Sequence, residues 1–212
     1  MRAKLSILIC AATLAAGCSL PAQDAPTRGA PHVAALLNGQ TTTSLDAQGI
    51  TQTILQPDYR LRRVYVRVPD ELEPSESNSY YPRADIVWHG DPFGDRHAQV
   101  KAVVQGAAER AIAITRGDKP VDLDIEVRRF HALSERTRYT VGGRHEFEFK
   151  LTFLNAETGL PLAPPRLVQA EIKGFGGLAA VRAEALGQTQ KVRITDYLAQ
   201  FVAQQTAMGP GA

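Results

Sequence analysis

Little cysteine, a single tryptophan, almost no net charge and no long apolar run characterise this chain of 212 residues. Two cysteines cannot frame a disulfide-rich scaffold or a cysteine-rich zinc module. A formal charge of +2, from 24 Lys+Arg against 22 Asp+Glu, supplies no field for binding nucleic acid. Beyond the N-terminal stretch, no segment approaches the roughly 20 apolar residues of a spanning helix. What is present is ordinary globular material. With 44% hydrophobic and 22% charged residues, wholesale disorder and a polytopic membrane protein are both excluded, and one buried core is affordable at this length.

The first 17 residues read as an address. Arg2 and Lys4 make a positive start, and Leu5–Ala16 is an apolar run interrupted only by Ser6 and Thr13. At about 1.5 Å rise per residue such a run is too short to cross a hydrocarbon core of about 30 Å, so it reads as a secretory signal peptide. Leu14-Ala15-Ala16-Gly17-Cys18 resembles the lipobox of bacterial lipoproteins, with small residues at Ala16 and Gly17 and with Ala15 where Leu is commonest. The resemblance implies cleavage before Cys18, a diacylglycerol on its sulfur and an acyl group on its new amino terminus. Palmitate labelling is then expected, and two or three chains anchor stably where one does not. Cleavage would remove Cys10 and block the Cys18 thiol, leaving neither a disulfide nor a thiol nucleophile. It would also remove Arg2 and Lys4 from the 24 basic side chains, leaving 22 against 22 acidic ones. Ser19 stands where enteric lipoproteins of the inner membrane carry Asp, which implies the outer membrane, facing the periplasm.

Residues 18–57 read as a lipidated N-terminus and tether, with Pro21, Pro26 and Pro31 at regular spacing and a short apolar patch at Val33–Leu37. An α+β domain is expected over 58–206, followed by a disordered tail at 207–212. Val64, Val66 and Val68 alternate with Arg63, Tyr65 and Arg67, predicting a half-buried strand that Pro69 ends. Residues 70–79 are an acidic polar loop, and 84–89 predicts a short strand around Trp88. A helix capped by Asp91 or Asp95 then carries Val100, Val103, Val104, Ala107, Ala108, Ala111 and Ile112 as an apolar stripe up to about Gly117. Val121–Val127 and Phe147–Phe153 alternate greasy and charged positions, Leu167–Ile172 is a weaker strand, and a last helix is expected over 188–205. This order predicts a two-layer α+β sandwich, a mostly antiparallel sheet of about five strands with two helices on one face.

Several groups invite a chemical reading. Asp85, His89, Asp91, Asp95 and His97 are the densest set of metal-type ligands, but no spacing puts two on one helix face, and turn and cap roles explain Asp91 and Asp95. His131 and His145 flank the long hairpin near Ser134 and Glu135, without a Gly-x-Ser-x-Gly elbow. Asp122, Asp124 and Glu126, and Glu146 and Glu148, have Arg128, Arg138, Arg144 and Lys150 as candidate cross-strand partners, so a mixed-charge solvated face is expected. Lys173-Gly174-Phe175-Gly176-Gly177 lacks both phosphate-loop and dinucleotide fingerprints and reads as a turn. Arg60, Arg62, Arg63 and Arg67 line the first strand and read as a solvated face.

Val64-Tyr65-Val66-Arg67-Val68-Pro69 and Ile86-Val87-Trp88-His89-Gly90-Asp91-Pro92 resemble segments of the ABC-type transport auxiliary lipoproteins and of an uncharacterised group of alphaproteobacterial lipoproteins. The resemblance implies a strand ending in Pro, a Trp-bearing strand feeding a helix, a β-meander and a last helix, and a periplasmic accessory or binding role in lipid or envelope transport. It brings no catalytic residues, cofactor or metal. The expected protein is a non-enzymatic lipoprotein, membrane-held through Cys18 and contacting an envelope protein. Two rivals stand beside it: a periplasmic metal-dependent hydrolase using the Asp85–His97 region, and a small-ligand or lipid carrier with its cleft between helices and sheet.

Overall fold

The structure, a computed structural model, describes residues 58–211 and two short strands ahead of them, β1 (Ser44–Leu45) and β2 (Thr51–Gln52), which pair antiparallel. Cys18 and the segments read as signal peptide and tether otherwise lie outside the described residues.

A six-stranded sheet is organised around β6 (Lys119–His131). One edge of β6 pairs antiparallel with β7 (Gly143–Asn155), which pairs antiparallel with β8 (Arg166–Gly174). The other edge is shared. β3 (Tyr59–Arg67) runs parallel to its first part, and β5 (Ile86–Val87) runs parallel to Phe130 and His131 at its end. β4 (Pro74–Ser75) lies parallel beyond β5. The sheet is therefore mixed, with its longest ladder antiparallel, and the α+β sandwich expected from the alternation is the observed architecture. The acidic loop at 70–79 contributes β4, and β5 covers only two residues of the segment read at 84–89; beyond it Gly90 lies against the Trp88 ring, which a Cβ there would meet at 2.4 Å.

Two bulges keep the apolar side chains on one face. The β3–β6 register shifts between Leu61 and Arg63, and the β6–β7 register between Val127 and Arg129. An extra residue resets the period-two alternation, so Leu61 and Val66 share a buried face despite their odd spacing, as do Val127 and Phe130. That face is covered by α1 (Arg96–Ile114) and α4 (Gln190–Met208). α1 presents Val100, Val103, Val104, Ala107 and Ala111; α4 presents Ile194, Leu198, Phe201 and Val202. Rings thread the core from Trp88 to Phe130 (5.6 Å), Phe147 (4.6 Å), Phe149 (6.4 Å) and Phe201 (6.3 Å). Each edge-to-face or offset pair adds about 0.5–1.5 kcal/mol beyond area burial. The space between helices and sheet is filled by these side chains.

α1 starts at Arg96 because the Asp95 carboxylate accepts the Ala98 N–H at 3.0 Å, and it ends at Ile114, before Gly117. A short α2 (Glu135–Arg138), capped by Ser134, and an α3 (Leu178–Ala185) that buries only Ala180 were not foreshadowed by apolar periodicity. α4 runs to Met208, two residues past the boundary read at 206, and Gly209 (φ +78) closes it. The outer edge of β8 is partly capped by α4, as Tyr197 Oη accepts the Glu171 N–H and Arg193 donates to Lys173 O. Such capping blunts the edge against unwanted pairing.

Candidate functional site

The helix-free face carries the charges that the alternation placed there. Arg62, at the β3 bulge, forks onto Asp122 at 2.8 and 2.7 Å. Arg67 reaches Asp124 (2.6 Å) and Glu126 (3.0 Å), and Glu126 also takes Lys150 (2.9 Å) and Arg128 (3.3 Å). The bond from Lys150 comes first among the causes that hold the Glu126 carboxyl below the ordinary range, against its own burial. Arg144 pairs with Glu171 across the β7–β8 ladder. Arg138 is not a cross-strand partner: α2 carries it, and it faces Glu184 of α3.

The acid and histidine residues between 85 and 97 do not converge. Asp85 accepts the Glu73 N–H, Asp95 caps α1, and His97 Nε2 meets Leu72 O at 2.9 Å. Asp91 accepts the Trp88 indole N–H at 2.9 Å and the Lys191 ammonium at 2.7 Å. Burial opposes charge on Asp91, but these two bonds outweigh it and hold the carboxyl below its usual range. Burial chiefly lowers His89, with the Arg96 charge adding. Among the described residues, no group of three or more His, Cys, Asp or Glu is placed to hold a metal ion. Ser134 and His145 are not joined either. Ser134 Oγ accepts the Thr137 N–H and donates to Ser79 O, while His145 Nδ1 accepts the Leu133 N–H.

The glycine-rich turn is structural. Gly142 (φ +71) at the hairpin tip lies against Gly176, where a Cβ would sit 2.2 Å from the Gly142 nitrogen, so two backbones meet with no room for side chains.

A groove of about 410 Å³ opens at the end of β6 and β7, lined by Tyr80, Tyr81, Arg83, Arg129, Val141 and Arg144, with Glu146 at its rim. The loop that supplies the tyrosines is tied down from α2. Arg136 N–H donates to Asn78 Oδ1 (2.7 Å), Thr137 Oγ1 to Tyr80 O (3.3 Å), and the Arg136 guanidinium stacks on the Tyr80 ring at 4.6 Å. Thr140 and then Arg136 bond the Tyr80 hydroxyl and lower it from the ordinary phenol value. His131 Nε2 donates to Ala84 O, so its Nδ1 is free to accept Arg129 Nη2 at 3.0 Å. Burial lowers the His131 pKa despite the Ala84 bond, and the ring orients Arg129 without neutralising it. Among the described residues, neither Arg83 nor Arg129 has a carboxylate partner. Tyr81 is 91% and Val141 74% exposed. Aromatic rings beside arginines are the composition of interaction hot spots. Tyr80-Tyr81-Pro82-Arg83, a ring pair in a loop, is the sequence signal for this groove, and periodicity is blind to it.

The family model described as "Family of unknown function (DUF6778)" matches residues 59–212. The chain belongs to that family. No curated protein matches it. Among solved structures, it is similar to a Xanthomonas campestris protein of the DUF330 family model, at 13% identity over 71% of this chain and 83% of that one, with a TM-score of 0.43. A candidate lipoprotein from Caulobacter crescentus shares 16% identity over 51% of this chain and 80% of its own, with a TM-score of 0.30. A minor lipoprotein from Acinetobacter baumannii shares 10% identity over 69% and 92%, with a TM-score of 0.27.

Proposed function

We propose that this DUF6778 chain is a bacterial lipoprotein, held at the outer membrane by acyl groups on Cys18, whose α+β domain is a non-catalytic docking module for an envelope protein, in lipid or envelope transport. The observation that carries the anchor is the lipobox-like Leu14–Cys18 directly after a charged and apolar start. The absence of a long apolar helix among the described residues leaves that anchor as the means of membrane attachment in this reading. The Tyr80–Arg83 groove is the docking site: it offers rings, a proline and guanidinium donors, while the Ser134 hydroxyl and the His131 ring that also line it are bonded to Ser79 O and to Ala84 O and Arg129. Asp85, Asp91, Asp95 and His97 are each held by separate hydrogen bonds and do not converge with His89, and buried apolar side chains pack between the helices and the sheet, so the geometry favours the docking reading over its two rivals.

Two measurements test it. Wild type is expected to take up labelled palmitate and fractionate with membrane, and Cys18→Ser to do neither; equal behaviour of the two removes the anchor. A photo-crosslinking residue at Tyr81 is expected to capture one envelope protein, and Arg83→Ala with Arg129→Ala to abolish that capture. Undiminished capture by the double variant removes the groove from the proposal while leaving the anchor standing.

A further inference from the structure

A small crevice lies where α2, β7, α3 and α4 meet, lined by Arg138, His145, Glu184 and Gln190 with Gln188 and Arg193 beside them; Arg193 is committed elsewhere, donating to Lys173 O at 2.8 Å and stacking on the Phe175 ring at 3.7 Å. Its volume is about 10 Å³, the room that one water molecule needs. Gln190 is 4% exposed, and its Oε1 is buried without a hydrogen-bond partner. The amide orientation is fixed, because Nε2 donates to Leu133 O at 3.2 Å and a flip would set two oxygens against each other. Arg138 Nε is likewise buried without a hydrogen bond, and Glu184 Oε1 stands 3.5 Å from it, beyond hydrogen-bond range. Because His145 Nδ1 accepts the Leu133 N–H at 3.1 Å, the ring proton is on Nε2 and makes that nitrogen a donor.

The crevice thus gathers two N–H donors, on Arg138 and His145, and two oxygen acceptors, on Gln190 and Glu184. We infer that it is the site of one ordered water molecule, which accepts from Arg138 Nε and His145 Nε2 and donates to Gln190 Oε1 and Glu184 Oε1. An anion would meet the Gln190 and Glu184 oxygens, and a cation would meet the two N–H groups. Water alone matches two donors and two acceptors in this space. Leaving such buried groups unmatched is destabilising, and a bridging water is nearly as good as a direct bond. The water has a mechanical role. α3 buries only Ala180, so its hold on the domain is mostly polar, and the water links its Glu184 to three other elements.

A high-resolution crystal structure of the full chain tests this. A spherical peak within hydrogen-bond distance of all four side chains is expected. An empty crevice, density for an ion, or a direct Arg138–Glu184 bond closing the space overturns the inference. Gln190→Met, which removes the acceptor at similar volume, is expected to lose the peak and to speed amide hydrogen exchange in α3 while leaving α1 unchanged. Persistence of the peak in that variant, or unchanged exchange in α3, overturns the assigned role.

Discussion

The indole of Trp88 and the ammonium of Lys191 bond the two oxygens of one carboxylate, Asp91, at 2.9 and 2.7 Å. Lys191 is in the first turn of α4 and Trp88 follows β5, so this carboxylate links the start of the last helix to the fully buried tryptophan. Asp91→Ala is expected to leave the indole N–H unpaired and to cost about 1–3 kcal/mol. Because the chain has one tryptophan, its fluorescence reports the site directly, and a lower urea midpoint with an altered emission maximum is the expected result. An unchanged midpoint would mean that the pair contributes nothing net. The native carboxyl is held below its ordinary value near 3.9, so its contribution is complete above that pH and is lost as pH falls through the lower native value.

The glycines at the hairpin tip make a second, sharper case. Gly176→Ala would place a methyl 2.2 Å from the Gly142 nitrogen and 2.5 Å from the Val141 carbonyl carbon. Both neighbours are backbone, so relief requires the α3 entry to move. A loss of about 1–3 kcal/mol is expected from such overpacking. Gly187→Ala is the control. Its φ is +75 but nothing lies within 4 Å, so only the left-handed conformation is penalised, by about 1–2 kcal/mol. Urea unfolding of both variants separates the effects, and equal or smaller loss at Gly176 would refute the close approach.

These two cases show what could be read before the fold was known. Alternation in Val121–Val127 and Phe147–Phe153, the stripe of α1 and the ridge of α4 are long patterns, and each became the expected element. Short-range grammar also held: Asp95 caps α1, and Asn155 Oδ1 accepts the Glu157 and Thr158 N–H groups in the turn that ends β7. What stayed hidden depends on partners far along the chain. α3 has good helix formers but buries one residue, so it leaves no stripe to detect. β4 is two residues held by pairing with β5. The bulges at Arg62 and Arg128 make sense only against β6 and β7. Of the candidate site, Arg129 and Arg144 lie on β6 and β7 just outside the alternation read at 121–127 and 147–153, and their meeting with Tyr80 and Tyr81 needed α2 to pin the loop.

The last prediction concerns His145, which is 2% exposed and accepts the Leu133 N–H. Burial, reinforced by the Arg193 and Arg138 charges, lowers its pKa to about 3. The unfolded chain binds a proton at this ring near pH 6.5, whereas the native protein resists doing so until about pH 3. The unfolded state therefore gains protons first as pH falls. The contribution of a neutral His145 is complete above pH 6.5 and is lost across the interval down to about 3, at up to roughly 1.4 kcal/mol per pH unit. His89 and His131 are lowered in the same direction and add to the slope. His145→Asn keeps an acceptor for the Leu133 N–H and removes the titration, so its stability is expected to fall less steeply between pH 6 and 4 than that of wild type. Chemical denaturation at a series of pH values measures this, and parallel curves for the two proteins would show that His145 does not set the acid limit of the fold.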